Sequence, residues 1–215
     1  MKMAGLGHLK IDVVESDEGP YFRMTEGTSR SFVRIDFSPR RQIGIKSDLL
    51  ARAIGYKKNA PAQCVLDATA GLCRDSFHMA CLGCKVVALE TNEMIFQVVS
   101  KHVERLPEKY DLSLVQANAQ SYIPNLETPS QFDVIYLDPM FPEKKKSARS
   151  GKESELLKAL APICSIEEEV RLVQAALDHA SQRVVVKRPL YAPAILPRPD
   201  IQFKGKAVRY DVYLV

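Results

Sequence analysis

From Cys64 onward the chain repeats one pattern, in which a short apolar run is followed by a stretch of helical periodicity. CVLDA (64–68) precedes RDSFHMACLG (74–83), and KVVALE (85–90) precedes NEMIFQVVSKHVERL (92–106). LSLVQAN, FDVIYLD and RVVVK continue the series of apolar runs. Short runs that are apolar throughout suit strands covered on both faces, and their alternation with helices predicts a doubly wound parallel sheet. Ser165 and Glu168 form a capping box ahead of IEEEVRLVQAALDHA. The chain then ends on IQFKGK and AVRYDVYLV, which read as a β-hairpin. The expected core is therefore α/β, with a mostly parallel seven-stranded sheet that closes on a hairpin.

The preceding residues read differently. HLKIDVVE and YFRMT are joined by the turn-like SDEGP, and SFVRIDF follows, so residues 1–37 are expected to form a small β-rich segment. Residues 38–215 are expected to form the main domain. SDLLARAIG predicts a short helix with Ser47 as N-cap and Gly55 at its end.

The 215 residues are enough for one domain with a real core, and 46% hydrophobic with 26% charged residues is globular composition. No stretch approaches the roughly 20 apolar residues of a membrane span. The first residues, MKMAGLGHLKIDVVESDEG, lack the apolar core of a signal peptide. Five cysteines, an odd number, predict a reduced cytoplasmic protein. Residues 1–138 carry 16 Lys+Arg against 17 Asp+Glu, whereas residues 139–215 carry 14 against 9. Either a solvated basic surface or a phosphate-bearing partner accounts for that excess.

In open α/β sheets ligands sit beyond the C-terminal ends of the strands. The first such end is Asp67-Ala-Thr-Ala-Gly71-Leu-Cys-Arg74-Asp75. It has neither the G-x-G-x-x-G of a dinucleotide site nor the Lys-Ser/Thr of a P-loop, which argues against NAD and ATP. An acid followed by a loop of small residues is the usual cradle of S-adenosylmethionine (SAM) enzymes, and Gly71 would let a ligand approach the backbone. Glu90, 23 positions after Asp67, is placed to hold both ribose hydroxyls of a nucleoside. At the third strand end, Gln116-Ala117-Asn118-Ala119 could read an adenine edge.

The fourth end, Asp138-Pro139-Met140-Phe141, is a variant of the Asp/Asn-Pro-Pro-Tyr/Phe tetrad of methyltransferases that act on planar amino groups. The lone pair of an exocyclic base amine is delocalised into the ring. Acceptors for its two N–H groups favour a geometry that points the lone pair at the methyl donor. Asp138 and the carbonyl of Pro139 can be those acceptors, and Phe141 can stack on an extracted base. Lys144, Lys145 and Lys146 follow, and Lys187 and Arg188 end the fifth strand. With Arg40 and Arg41 they form a candidate phosphate-binding rim.

DATAGLCRD, YLDPMFPEKKKSA and VVVKRP together resemble the bacterial RsmJ family, SAM-dependent methyltransferases of the guanine exocyclic amine in small-subunit ribosomal RNA. The resemblance runs from about Phe32 through AVRYDVY. It implies a Rossmann-like class I methyltransferase fold, SAM as cofactor, and ribosomal RNA or a ribosomal subunit as partner, with no metal. It also implies cofactor contacts at Arg74 and Asp75, Glu90 and Thr91, Asn118 and Ala119, and Asp138. Cys73 stands where the family usually has glycine, and Asn118-Ala119 replaces a Ser pair.

Two other readings stay open from sequence: transfer to a DNA base or a protein glutamine, and a catalytically idle RNA-binding module. Cys81-Leu-Gly-Cys84 has zinc or redox spacing but no second C-x-x-C, so small core residues at a helix end are expected there.

Overall fold

The computed structural model describes residues 9–39, 44–127, 131–140, 151–161 and 164–215. It begins with a three-stranded antiparallel sheet of Lys10–Val14 (β1), Tyr21–Glu26 (β2) and Ser29–Val33 (β3). A short helix follows, Leu49–Ala53 (α1). Its N-cap is Asp48 and not the expected Ser47. The Asp48 carboxylate accepts the Ala51 N–H at 3.0 Å, while Ser47 lies in a preceding 3-10 turn.

The alternating region then builds Cys64–Asp67 (β4), Arg74–Cys81 (α2), Lys85–Glu90 (β5), Glu93–Val103 (α3), Leu112–Gln116 (β6) and Ala119–Tyr122 (α4). It continues with Val134–Leu137 (β7), Lys152–Leu160 (α5), Ile166–His179 (α6) and Arg183–Pro189 (β8). Ile201–Lys204 (β9) and Val208–Leu214 (β10) form the closing hairpin. The Ser165–Glu168 capping box is present at the start of α6.

The seven strands lie in the order β6-β5-β4-β7-β8-β10-β9, with β10 antiparallel to both neighbours and the other pairs parallel. This is the expected seven-stranded sheet. Consecutive strand residues feed opposite faces. Leu66, Ile135, Val184 and Val186 pack under α6 with Leu172, Val173 and Ala176. Val65, Val134 and Val185 pack with Leu50, Ile54 and Met79 from α1 and α2 and their flanks. The small sheet adds Phe22, Met24 and Val33 to a third cluster, with Ile95 and Val99 of α3 and Leu156 of α5.

From β4 the chain moves outward to β5 and β6, then returns beside β4 with β7 and continues to β8. The winding thus reverses between β4 and β7, which is where such sheets open a crevice. The residues at those two strand ends are Asp67 and Asp138.

Candidate active site

A cavity of about 490 Å³ opens at this reversal. Its lining includes Asp67, Gly71, Arg74, Asp75, Glu90, Thr91, Asp138, Pro139 and Lys187. Such a volume lies within the usual range for small-molecule sites.

The first loop is shaped from below by Asp67, which is fully buried. Its two carboxylate oxygens accept the Thr69 N–H at 3.1 Å and the Ser76 hydroxyl at 2.6 Å. Burial pushes its carboxyl up to about 7, against those two donors. Thr69 in turn accepts the backbone N–H of Asp138 through Oγ1 at 2.6 Å, which ties the first loop to the fourth strand end. Gly71 adopts φ +52°, and a Cβ there would meet Leu157 of α5 at 3.3 Å. Cys73 also sits in the left-handed region, at φ 56°.

Glu90 accepts the N–H of Asn92 at 2.6 Å. Burial raises its carboxyl, opposed by the backbone N–H groups of Asn92, Gly71 and Thr91. The Thr91 hydroxyl donates to the carbonyl of Ala117 at 3.1 Å and joins the second and third strand ends.

Asp75, Lys187 and Asp138 form one charged unit. Lys187 Nζ lies 2.7 Å from Asp75 Oδ2 and 2.8 Å from Asp138 Oδ2. The hydroxyl of buried Tyr136 also donates to Asp75 Oδ2, at 2.7 Å. Burial disfavours the Lys187 ammonium, but the two carboxylates outweigh it and hold its pKa above the ordinary lysine value. Burial raises the Asp138 carboxyl, with Lys187 pulling it down and Asp75 pushing it further up. Asp138 keeps 40% of its side chain accessible, so solvent softens that rise and the contact with Lys187 is the firmer constraint.

Several expected residues sit elsewhere or act otherwise. Lys187 is the counter-ion of two acids in the cleft, not a rim cation. The Arg188 side chain is wholly enclosed and pairs with Glu169 at 3.1 Å. Its expected contact with phosphate is not available, because successive residues of β8 point to opposite sides of the sheet and Arg188 faces α6. Asn118 caps α4 by accepting the Gln120 N–H at 2.8 Å, and it lines a neighbouring cavity of about 580 Å³ that does not include Ala119. Ala119 itself is buried in the core. Arg40, Arg41, Phe141, Lys144, Lys145 and Lys146 lie outside the described residues.

Reading the sequence missed the whole of α5, which walls the cleft with Glu153, Ser154, Leu157 and Lys158. Glu153 pairs with Arg74, and the Asn92 amide donates to Leu160 O at 2.9 Å. It also missed Thr69, Ser76 and Tyr136 as supports of the acids. Cys81 and Cys84 form no disulfide, and among the described residues no group of His, Cys, Asp and Glu could hold a metal ion. No helix among the described residues is long and apolar enough to cross a membrane.

The cleft fits SAM by its chemistry. Glu90 can accept from a ribose diol, while Leu72, Leu89 and Ile95 offer apolar surface for a purine. Gly71 leaves the backbone bare on the ligand side. The surplus of acids over basic residues in the lining suits a cationic sulfonium.

Residues 22–215 match the model of a family described as SAM-dependent methyltransferase. The chain is 40% identical over 178 residues to the Ribosomal RNA small subunit methyltransferase J of Coxiella burnetii, covering 80% of this chain and 68% of that protein. It is 35% identical over 229 residues to the protein of the same name from Cellvibrio japonicus, covering 97% and 84%. Among solved structures, a SAM-dependent methyltransferase from Neisseria gonorrhoeae aligns with TM-score 0.69 and 28% identity over 99% of this chain and 85% of that one.

Proposed function

Since the chain belongs to the Ribosomal RNA small subunit methyltransferase J family of SAM-dependent methyltransferases, we propose that it methylates the exocyclic N2 amine of a guanine in small-subunit ribosomal RNA. The observation that carries the reading is Asp138. It stands at the sheet's reversal point, shares a cleft with Glu90 and Gly71, and has its carboxylate held by Lys187 at 2.8 Å.

SAM, when bound, supplies a methyl group activated on a sulfonium. The chain's residues do the rest. Asp138 and the Pro139 carbonyl accept the two N–H groups of the amine, which favours a geometry with its lone pair out of conjugation. An amine that gained the methyl would have to give up one proton, and the Asp138 carboxylate is the acceptor in reach. Lys187 keeps that carboxylate ionised and aimed, and Asp75 with Tyr136 keeps Lys187 in place. Thr69 fixes the Asp138 backbone, so acceptor and cofactor loop move as one body. Phe141 is proposed to stack on the base, and Lys144, Lys145 and Lys146 to meet flanking phosphates. The proposed setting is the cytoplasm, with naked RNA or an assembled small subunit as substrate.

The test is transfer from methyl-labelled SAM to small-subunit RNA, small-subunit particles, DNA and protein, followed by mapping of the modified atom. Label at a guanine N2 of the RNA is expected. Label on DNA or glutamine, or SAM binding with no transfer to any acceptor, would overturn the assignment.

A further inference from the structure

Two buried guanidinium groups reach beneath one short loop after β8. Arg209, 4% exposed, donates Nη1 to the carbonyls of Pro189, Leu190 and Ala192 at 3.1, 2.9 and 2.6 Å. Its Nε and Nη2 are closed off by Asp211 at 2.8 and 2.9 Å. Arg188, 1% exposed, donates Nε and Nη2 to the Pro193 carbonyl at 3.2 and 3.1 Å, while its Nη1 meets Glu169. Burying a guanidinium is costly unless its donors are satisfied. This fold buries two, and five of their hydrogen bonds go to four consecutive-region carbonyls of residues 189–193.

What that fixed backbone displays is Tyr191. It is 61% exposed and lines the same cleft as Asp138 and Pro139. An aromatic side chain on a rigid backbone has few degrees of freedom to lose on binding. Every nucleobase presents a π face to such a ring, whatever its identity. The cleft beside it holds more acids than basic residues, seven against four, so a neutral ring suits this lip better than a phosphate contact.

We infer that Tyr191 is a stacking platform for an unpaired base of the RNA substrate next to the target nucleotide, held in register by the Arg188 and Arg209 braces. The inference rests on the RNA reading above. It gives the VVVKRP motif two tasks: Lys187 serves the acid pair, and Arg188 holds the platform.

The experiment compares wild type with Tyr191→Phe, Tyr191→Leu and Tyr191→Ala. Methyl transfer is followed with naked small-subunit RNA and with small-subunit particles, and SAM binding is followed by calorimetry. Loss of one stacked base predicts a rise in KM for RNA of roughly 5- to 150-fold in the Ala and Leu variants, with Phe near wild type and SAM affinity unchanged in all. Fluorescence of 2-aminopurine placed beside the mapped target should be quenched by wild type and Phe, and released by Leu and Ala. Equal KM values across the series, with an active wild type, overturn this inference alone. A defect confined to particles, absent on naked RNA, also overturns it and marks a protein contact. A wild type that binds SAM but transfers to no RNA overturns the functional reading, and this inference with it.

Discussion

Replacing Lys187 with Met keeps most of the side-chain volume and removes the ammonium that lies 2.7 Å from Asp75 and 2.8 Å from Asp138. Two carboxylates would then converge on an apolar thioether. Removing one partner of a buried ion pair costs about 3–5 kcal/mol. Asp138 keeps 40% of its side chain accessible, and solvent screening lowers the figure at the reacting acid to about 2–3 kcal/mol. Expressed as a bias toward the protonated carboxyl, this lowers the accepting fraction of Asp138, and with it kcat, by up to roughly 30- to 150-fold at pH values below the pKa that results. The loss should depend on pH in one direction. The charges that act on Asp138 are Lys187, Asp75 and Asp67 in the cleft and, more weakly from the other side of the sheet, Arg188. Without the ammonium, the acids that remain favour the protonated carboxyl, which cannot accept from the amine. Activity should therefore be lowest at acid pH and recover as pH rises and Asp138 ionises. Steady-state rates over a pH series, with SAM saturating and its affinity measured in parallel, give the profile. An unchanged rate, or an equal fold-loss at every pH in a folded variant, would refute the view that Lys187 keeps Asp138 ionised.

Asp138→Ala should remove both the acceptor and the proton acceptor, with transfer falling at least about 10²–10³-fold, while RNA binding in a gel-shift assay and the thermal melt stay near wild type; near-normal turnover would leave the Pro139 carbonyl as the working acceptor. Glu90→Ala should weaken SAM and its demethylated product alike, by about 1.5–3 kcal/mol in calorimetry, and equal affinities would take Glu90 out of the site. Burial pushes the Asp67 carboxyl up to about 7 in the fold against 3.8 for the free side chain, so the unfolded chain releases this proton first; the contribution of Asp67 to stability is fully present below about 4 and is lost as pH rises through 7. Asp67→Asn should flatten that part of the slope when urea midpoints are compared at pH 5 and pH 8.

The central strands were legible because they carry enough apolar residues to be buried on both faces, as in Val134–Leu137, where all four are buried. The capping box was legible because its two side chains name each other. The helix α5 was not. KESELLKAL is short, follows a lysine run and buries Leu156 only through packing against the small N-terminal sheet, which is a long-range fact. Ser47 and Asp48 are both good caps, and only the backbone decides between them, since Asp48 is the extended residue before the first turn. The fate of Arg188 could have been found. A Lys-Arg pair at the end of a strand cannot put both side chains on one face, and the run Val184, Val186, Arg188 already marked the face toward α6. The partners of Lys187 could not, because Asp75 is 112 positions away and meets it only across the sheet's reversal point.

The charge of the cleft limits how an RNA substrate can use it. Seven acids, Asp67, Asp75, Glu90, Asp138, Glu153, Glu168 and Glu169, share the lining with four basic residues: Lys187, held by Asp75 and Asp138, Arg74, paired to Glu153, Arg188, paired to Glu169, and Lys158. A phosphodiester brought to this floor would meet like charge at low dielectric, where repulsion is strong. A sulfonium meets the opposite sign, and a guanine edge is neutral. RNA that reacts here must therefore keep its backbone on the rim and send in a single base, so unpaired or extruded guanines are the accessible targets. Of the described candidates for holding the backbone, Lys187 and Arg188 are committed inward. A substrate whose target guanine is locked in a stable duplex should be a poor acceptor. Opening that one pair with a mismatch, in RNA otherwise the same, should restore transfer through kcat/KM for RNA and leave SAM affinity untouched. Equal rates on the paired and opened substrates would show that the base need not leave the helix.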